Sequence, residues 1–220
     1  GSAAIYLRGG INYTSTNGSF EETGSGSLLL EGLNPTYNGT TTFAGNAVSL
    51  TAGNHSFADG GTVNGPLVIA GANASFGTVT TNGPVTYSGG TFNIAAGDTL
   101  TLAGGMNWAG VNTTIGGSGT LRVPGGQTLT LSGSGYRMLS GTTLDNQGTV
   151  NIALGSGDSL YLNDSATFAN AGLLDFSGTG GNGLNTSSGN GNFTNTGTVR
   201  NSGSAAIYLR GGINYTSTNG

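Results

Sequence analysis

A short aliphatic pattern recurs along the whole chain and constrains its fold more than any other feature. In each copy two aliphatic residues flank a third residue, and most copies are followed within a few residues by Gly. The copies are Ile5-Tyr6-Leu7, Leu28-Leu29-Leu30, Val48-Ser49-Leu50, Leu67-Val68-Ile69, Leu100-Thr101-Leu102, Leu129-Thr130-Leu131, Leu160-Tyr161-Leu162 and Ile207-Tyr208-Leu209. Because side chains alternate between the two faces of a β-strand, the first and third residues are predicted to point inward and the middle residue outward.

A second strand type precedes several of these copies and opens on Gly, mostly as Gly-Thr-aliphatic. The opening residues Gly90, Gly119, Gly148, Gly172 and Gly197 are 29, 29, 24 and 25 residues apart. Periods of about 20–30 residues with two or three short strands are typical of solenoids, in which stacked coils together bury an apolar face that one coil cannot bury. Gly and Asn supply the positive φ angles that sharp corners need. The sequence therefore predicts an all-β parallel β-helix, or β-solenoid.

An 18-residue sequence occurs twice without change, as residues 1–18 and as residues 203–220. The duplication predicts a tandem array in which residues 1–202 are one full unit and residues 203–220 start the next. A duplication introduced during cloning is the alternative. Roughly eight to nine coils are expected per 202-residue unit, which would advance the solenoid by about 40 Å at a coil spacing of about 4.8 Å. Open solenoid ends are strand edges, so we expect the next unit to continue them, covalently or by end-to-end contact.

Composition excludes several other classes of protein. Of 220 residues 45 are Gly and only 6% are charged, with no Cys and a net charge of −4. Glycine without a Gly-X-Y period excludes collagen, and regularly placed aliphatic clusters argue against disorder. The five basic residues are all Arg and are scattered singly, which argues against nucleic-acid binding. No apolar run approaches the roughly 18–20 residues that span a bilayer, so no membrane insertion of this segment is expected.

Three segments resemble the autotransporter-associated β-strand repeat. Residues 24–45 match it best, through Leu28-Leu29-Leu30, then Asn34-Pro35-Thr36-Tyr37-Asn38-Gly39, then Thr40-Thr41-Thr42-Phe43. Residues 97–115 follow the same order with Trp108 in place of the Tyr, and residues 126–144 are looser and lack the Asn. The openings Asn146-Gln147-Gly148-Thr149-Val150 and Asn195-Thr196-Gly197-Thr198-Val199 resemble coils of filamentous-haemagglutinin-type exoproteins.

This resemblance implies export to the bacterial cell surface by an autotransporter or two-partner route, with a role in adhesion, aggregation or a biofilm matrix. We therefore expect an extracellular or cell-surface location and a structural or adhesive function as part of a long fibre. The expected partners are neighbouring repeats of the same protein end to end, together with surface glycans or other fibres.

Catalytic and metal-binding patterns are weak. Glycoside hydrolysis needs two carboxylates facing one cleft, and the nine acids are scattered; only Glu21 and Glu22 are adjacent, and neighbours on a strand point to opposite faces. His55 follows Gly53-Asn54 and is expected to be a solvated turn residue. Asp158 and Asp164 occur without the register of a calcium-binding repeat. We expect no enzyme activity, no cofactor and no metal site.

Aromatic side chains are the candidate contact residues. Tyr6, Tyr13, Tyr37, Trp108 and Tyr161 are expected to face outward, where rings stack on sugars or pack against neighbouring fibres. The alternative is that these rings cover strand edges or seal the coil. A carbohydrate-binding or polysaccharide-degrading β-helix is the second functional hypothesis. An ice- or mineral-binding solenoid is the third, although Tyr residues interrupt its Thr-x-Thr face.

Overall fold

The computed structural model describes residues 5–9, 12–32, 34–45 and 48–218, and all its regular elements are β-strands. The strands are β1 (Ile5–Arg8), β2 (Asn12–Thr16), β3 (Ser19–Glu21), β4 (Leu28–Glu31), β5 (Asn34–Asn38), β6 (Thr40–Ala44), β7 (Val48–Leu50), β8 (Asn54–Phe57), β9 (Gly61–Asn64), β10 (Leu67–Phe76), β11 (Val79–Thr81), β12 (Val85–Ile94), β13 (Thr99–Leu102), β14 (Met106–Trp108), β15 (Thr113–Gly117), β16 (Thr120–Val123), β17 (Thr128–Gly133), β18 (Arg137–Ser140), β19 (Thr143–Asn146), β20 (Thr149–Leu154), β21 (Ser159–Asn163), β22 (Thr167–Asn170), β23 (Leu173–Phe176), β24 (Gly183–Asn185), β25 (Gly191–Asn195), β26 (Thr198–Asn201), β27 (Tyr208–Leu209) and β28 (Ile213–Ser217).

These strands stack in parallel to form a β-solenoid of about nine turns, which confirms the predicted fold class. Each turn contributes one strand to each of three columns, and β26, β27 and β28 add a tenth strand to each column after the ninth turn. The first column contains β1, β4, β7, the first half of β10 and of β12, β14, β17, β20, β23 and β26. The second contains β2, β5, β8, the second halves of β10 and β12, β15, β18, β21, β24 and β27. The third contains β3, β6, β9, β11, β13, β16, β19, β22, β25 and β28.

The aliphatic pairs predicted from the sequence form the core. Both aliphatic positions of the copies at 28–30, 48–50, 67–69, 100–102, 129–131 and 160–162 are buried, as expected from strand alternation. Ile5 and Leu7 of β1 are 62% and 40% exposed. They hold the same register as Leu28 and Leu30 of β4, but no described strand lies on their other side. Their exposure therefore results from position in the stack and not from orientation.

The copies of the pattern do not all occupy the same column. Leu28 to Leu30 lie in the first column, Leu100 to Leu102 in the third and Leu160 to Leu162 in the second. The Gly-rich corners vary in length, so the chain reaches successive columns with different parts of its sequence pattern. The three columns therefore accept the same inward aliphatic pair.

Positive φ angles occur at corners, as the Gly and Asn content predicts. Asn17 and Asn112 adopt φ angles of 51° and 52°. Gly65 has a φ of 77°, and a Cβ atom at this position would lie 1.8 Å from the backbone oxygen of Phe43. Close stacking of neighbouring corners thus requires Gly here for two reasons.

Ion pairs join register partners in neighbouring coils. Arg8 Nε lies 2.7 Å from Glu31 Oε2, and Arg122 Nε lies 2.8 Å from Asp145 Oδ2. Arg200 Nη2 donates to Asp175 Oδ2 at 2.6 Å, and this hydrogen bond lowers the pKa of Asp175. Opposite charges that face each other across strands favour this register over shifted ones. Within the described residues there is no helix long and apolar enough to cross a membrane.

Candidate interaction surfaces

Two of the predicted contact residues are buried, so their expected outward orientation is wrong. Tyr37 is stacked against Phe57 with ring centroids 4.6 Å apart, and Trp108 lies 6.2 Å from Tyr87. Strand alternation explains both positions: Tyr37 has the same parity as Pro35, and Trp108 the same parity as Met106. The Asn and Gly residues around these rings resemble a turn in the sequence, but the rings themselves fill the core.

Tyr13 also departs from its predicted outward position. Its ring is half-buried and packs against the core, 6.4 Å from the ring of Phe20. It lies opposite Pro35 in the register of β2 and β5 and has the same inward parity. Tyr13 contributes to sealing the first coil, which is the alternative that the sequence left open.

Tyr6 and Tyr161 lie on the outer surface, in agreement with strand alternation. Tyr6 is exposed, and the guanidinium carbon of Arg8 lies 4.1 Å from its ring centroid. Tyr161 is half-buried and lies next to Tyr136. A contact role for these two residues stays a prediction.

The outer surface of the second column carries a groove of about 190 Å³ lined by Tyr136, Met138, Tyr161 and Ser187. We call it the tyrosine groove. The two Tyr rings meet edge to face, with centroids 5.6 Å apart and planes inclined by 68°. Tyr136 was not among the predicted contacts, because it lies in a corner outside the recurring strand pattern. The register of β18 and β21 places Tyr161 beside Met138, so knowledge of this register would have pointed to Tyr136, which directly precedes β18.

A larger groove lies at the corner between the first and second columns. It has a volume of about 550 Å³ and is lined by residues 88–92, 111–114 and 116. Val111 in its wall is 59% exposed. This groove has no charged or Tyr side chain in its lining, so it offers fewer specific contacts than the tyrosine groove.

Glu21 and Glu22 line one groove of about 260 Å³ together with Ile5 and Leu28. β3 ends at Glu21, so strand alternation does not extend to Glu22 and the expectation of opposite faces does not apply to this pair. Ser19 Oγ donates to Glu21 at 2.9 Å, and the backbone nitrogen of Gly24 donates to Glu22 at 2.7 Å. Both carboxylates thus have hydrogen-bond donors within their own corner.

His55 is a core residue, which contradicts its predicted role as a solvated turn residue. It lies in β8 with the inward parity of Phe57 and is buried. The Tyr37 hydroxyl donates to Nδ1 at 2.8 Å, and Nε2 donates to the Ala52 oxygen at 3.1 Å. Burial lowers the pKa of His55, so the ring is neutral near pH 7. Across the described residues, no three His, Asp or Glu side chains are grouped in a way that could hold a metal ion.

The two ends of the stack form the most apolar exposed surfaces. We call the free side of β1 to β3 the N-end surface, and the free side of β26 to β28 the C-end surface. Ile5 and Leu7 are exposed on the first; Leu209 and Tyr215, each 50% exposed, lie on the second. All four have inward parity, so they are core positions that no described coil covers.

Comparison of the chain with protein-family models, curated proteins and solved structures gave no match.

Proposed function

We propose that this chain is a structural or adhesive segment of a long, repetitive extracellular fibre, and that its solenoid units stack end to end. The observation that carries the proposal is the pair of end surfaces. Each presents inward-parity apolar side chains beside the hydrogen-bonding edge of three parallel strands. Such edges pair readily with another strand, so a solenoid that ends on them favours continued stacking.

The mechanism is mechanical. Ladders of backbone hydrogen bonds run along the fibre axis, and each coil packs its apolar side chains on the coils above and below. A load along the axis is therefore shared by the three columns. The duplicated 18-residue sequence supports this proposal independently, because a long sequence that recurs without change is what a tandem array contains.

The test uses the wild-type chain, Ile5→Lys and the matched control Tyr6→Lys. Both residues lie on β1 and are exposed, but Ile5 has inward parity on the N-end surface while Tyr6 faces sideways. Concentration-dependent growth of filaments by wild type, seen in sedimentation velocity and electron microscopy, is expected. Ile5→Lys should abolish growth by leaving a charge unpaired in the interface, and Tyr6→Lys should preserve it. A chain that stays monomeric at high concentration, or equal growth of both variants, would contradict end-to-end stacking.

The bacterial cell surface is the proposed location, on the strength of the resemblance to exported β-strand repeats. Antibodies against the solenoid should label intact cells of the source organism without permeabilisation. Labelling only after permeabilisation would count against export.

A second candidate function is carbohydrate binding, and the tyrosine groove is the observation that favours it. The exposed ring of Tyr136 and the half-buried ring of Tyr161 offer apolar faces on which pyranose rings can stack. Tyr136→Ala and Tyr161→Ala should each weaken binding in a glycan-array screen followed by calorimetry, whereas Tyr6→Ala should not. Binding that all three variants retain would place the glycan site elsewhere.

A further inference from the structure

The two copies of the 18-residue sequence lie in different columns of the solenoid. In the first copy, Ile5–Arg8 forms a strand of the first column and Asn12–Thr16 a strand of the second. In the second copy, Tyr208–Leu209 lies in the second column and Ile213–Ser217 in the third. The second copy therefore lies one column further around the solenoid than the first copy.

Strand parity is the same in both copies despite the change of column. Leu7 pairs with the buried Leu30, and its counterpart Leu209 pairs with the buried Leu184. The local contacts on the outer side are also retained. Arg8 lies 4.1 Å from the ring centroid of Tyr6, and Arg210 lies 3.9 Å from that of Tyr208.

The second strand of each copy behaves in the same way. Tyr13 lies opposite Pro35 and packs against the core, while Tyr215 lies opposite Phe193 with ring centroids 5.4 Å apart. Thus one sequence presents its inward residues to the core correctly on two neighbouring faces. No refolding of the segment is needed to change column.

The cause of the shift is an additional strand. From β1 to β25 the described chain makes nine coils of three strands, when β10 and β12 are each counted in both of their columns. β26 then returns to the first column, where Leu174 of β23 pairs with Val199. The second copy begins after this strand and so starts in the second column.

We propose that a 202-residue unit contains nine and one-third coils. Each successive unit of the array is then rotated by one column, or about one third of a turn, about the fibre axis. The start of the next unit is already present in this chain as residues 203–220, and its strands β27 and β28 pair with β24 and β25 one column further on than β1 and β2. This inference rests on the proposed tandem array. At about 4.8 Å per coil, units recur about every 45 Å, and equivalent faces align only after three units, or about 134 Å.

The rotation decides how the fibre displays its surface. The tyrosine groove lies on the second column in this unit, and it would lie on a different face in each of the next two units. Any surface feature would therefore occur on all three sides of the fibre. A fibre of this kind contacts partners or other fibres in every direction, whereas a whole number of coils per unit would line up all copies on one side.

Engineered disulfides in the 220-residue chain test directly which column the second copy occupies, which we call its phase. The protein has no Cys of its own that could interfere. Asn12 and Asn214 are the same residue of the duplicated sequence; Asn12 pairs with Asn34, and Asn214 with Asn192. Directly opposed residues lie about 4.8 Å apart, within the range that a disulfide spans. The pair N192C/N214C should therefore oxidise as completely as the reference pair N12C/N34C.

The competing pair N185C/N214C reports the alternative phase, because β24 belongs to the second column. Preferential oxidation of this pair, or oxidation of neither pair while the reference pair forms, would overturn the inference. The outcome does not depend on filaments. Failure of the chain to assemble would count against the proposed fibre, while the disulfides would still decide the phase. In the covalent tandem array, helical reconstruction should give a rotation of about one third of a turn per 202-residue unit, and units in line would overturn the inference.

Discussion

At the scale of single residues, the core contains polar groups that the sequence pattern alone does not place there. Tyr37 donates from its hydroxyl to Nδ1 of His55, and the rings of these residues stack with centroids 6.0 Å apart. Burial raises the pKa of Tyr37, so its hydroxyl stays protonated and continues to donate. The pair satisfies two buried polar groups with each other.

Stability should fall as the pH drops below that of an unfolded histidine. The folded chain holds His55 neutral and lowers its pKa, whereas the unfolded chain binds a proton with a pKa of about 6.5. The stability that neutral His55 contributes is therefore complete above pH 6.5 and is lost below it. The free energy of unfolding changes there by at most about 1.4 kcal/mol per pH unit for one proton. Urea unfolding between pH 7.5 and 5 measures the slope.

His55→Gln is the control for this pH dependence. It removes the titrating ring and should flatten the profile between pH 7.5 and 5. Asp175 does not interfere, because its lowered pKa places its effect below about pH 4. An unchanged slope in the variant would assign the acid sensitivity to another group.

Arg137 is a buried cation whose partners are backbone carbonyls. It has the inward parity of Leu160, and its guanidinium donates to the backbone oxygens of Trp108, Ser132, Ser134, Gly135 and Tyr136. Burial lowers its pKa, and the nearby Asp158 opposes this shift. The side chain therefore holds the corner between β17 and β18 in place.

Arg137→Ala should lower the free energy of unfolding by about 3 kcal/mol or more, because the buried Trp108 carbonyl and four part-buried carbonyls would lose this donor. Arg122→Ala is the matched control: it removes a partly exposed ion pair with Asp145 and should cost less than about 1 kcal/mol. Urea unfolding of both variants gives the comparison. Equal effects would mean that water satisfies the carbonyls as well as the guanidinium does.

At the scale of elements, a buried asparagine ladder joins the ends of three third-column strands. Asn146 Nδ2 donates to Asn170 Oδ1 at 2.6 Å, and Asn170 Nδ2 donates to Asn195 Oδ1 at 2.7 Å. Asn170 Nδ2 also donates to the Thr198 oxygen at 3.1 Å. These three Asn residues precede the Gly-opened strands at Gly148, Gly172 and Gly197, so their 24- and 25-residue spacing was already visible in the sequence.

Asn170→Ala should destabilise the solenoid by about 2 kcal/mol or more, because Asn195 Oδ1 would lose its donor and Asn146 Nδ2 would keep only its bond to Leu173 O. Asn54→Ala is the comparison. Asn54 also bridges two Asn side chains, donating to Asn34 and accepting from Asn73, each at 2.9 Å, but this second ladder is exposed. Water can replace its bonds, so a loss below about 1 kcal/mol is expected in thermal or urea unfolding. Similar losses would show that burial does not set the ladder's contribution.

The strands were predictable because their signal is local. Alternation about Leu28 and Leu30, or Leu129 and Leu131, fixes which side chains point inward whatever the column. Column assignment was not predictable, since it depends on the number of strands between two copies, and the corners vary in length. Only a count of all strands reveals that β26 is additional.

The contact residues were harder to predict for a physical reason. Tyr37 and Trp108 sit among Asn, Gly and Thr, so nothing local distinguishes an inward ring from an outward one. In the second to fifth coils Tyr37, Phe57, Phe76 and Phe92 form a continuous stack in the core, with centroid distances of 4.6 to 4.8 Å. His55 was mistaken for a turn residue because it follows Gly53-Asn54.

At the scale of the whole molecule, the solenoid is close to one-dimensional. Each coil contacts mainly the coil before and the coil after it, so stability is approximately a sum over coils and their interfaces. An internal coil has two interfaces and an end coil has one. The end strands β1 and β27 therefore carry exposed inward residues such as Leu7 and Leu209, while the central strands carry none.

Hydrogen exchange should follow this arrangement. In the dilute chain, amides of β1 to β3 and of β26 to β28 should exchange fastest, and amides of β14 to β20 slowest, because opening an end coil breaks one interface and opening a central coil breaks two. Stacking would give each end coil its missing interface. Exchange measured by mass spectrometry in filaments should therefore slow at both ends and stay unchanged in the centre. This slowing of exchange at the ends should vanish in Ile5→Lys and persist in Tyr6→Lys. Protection that rises uniformly along the chain would instead indicate lateral bundling, because only axial stacking confines the change to the end coils.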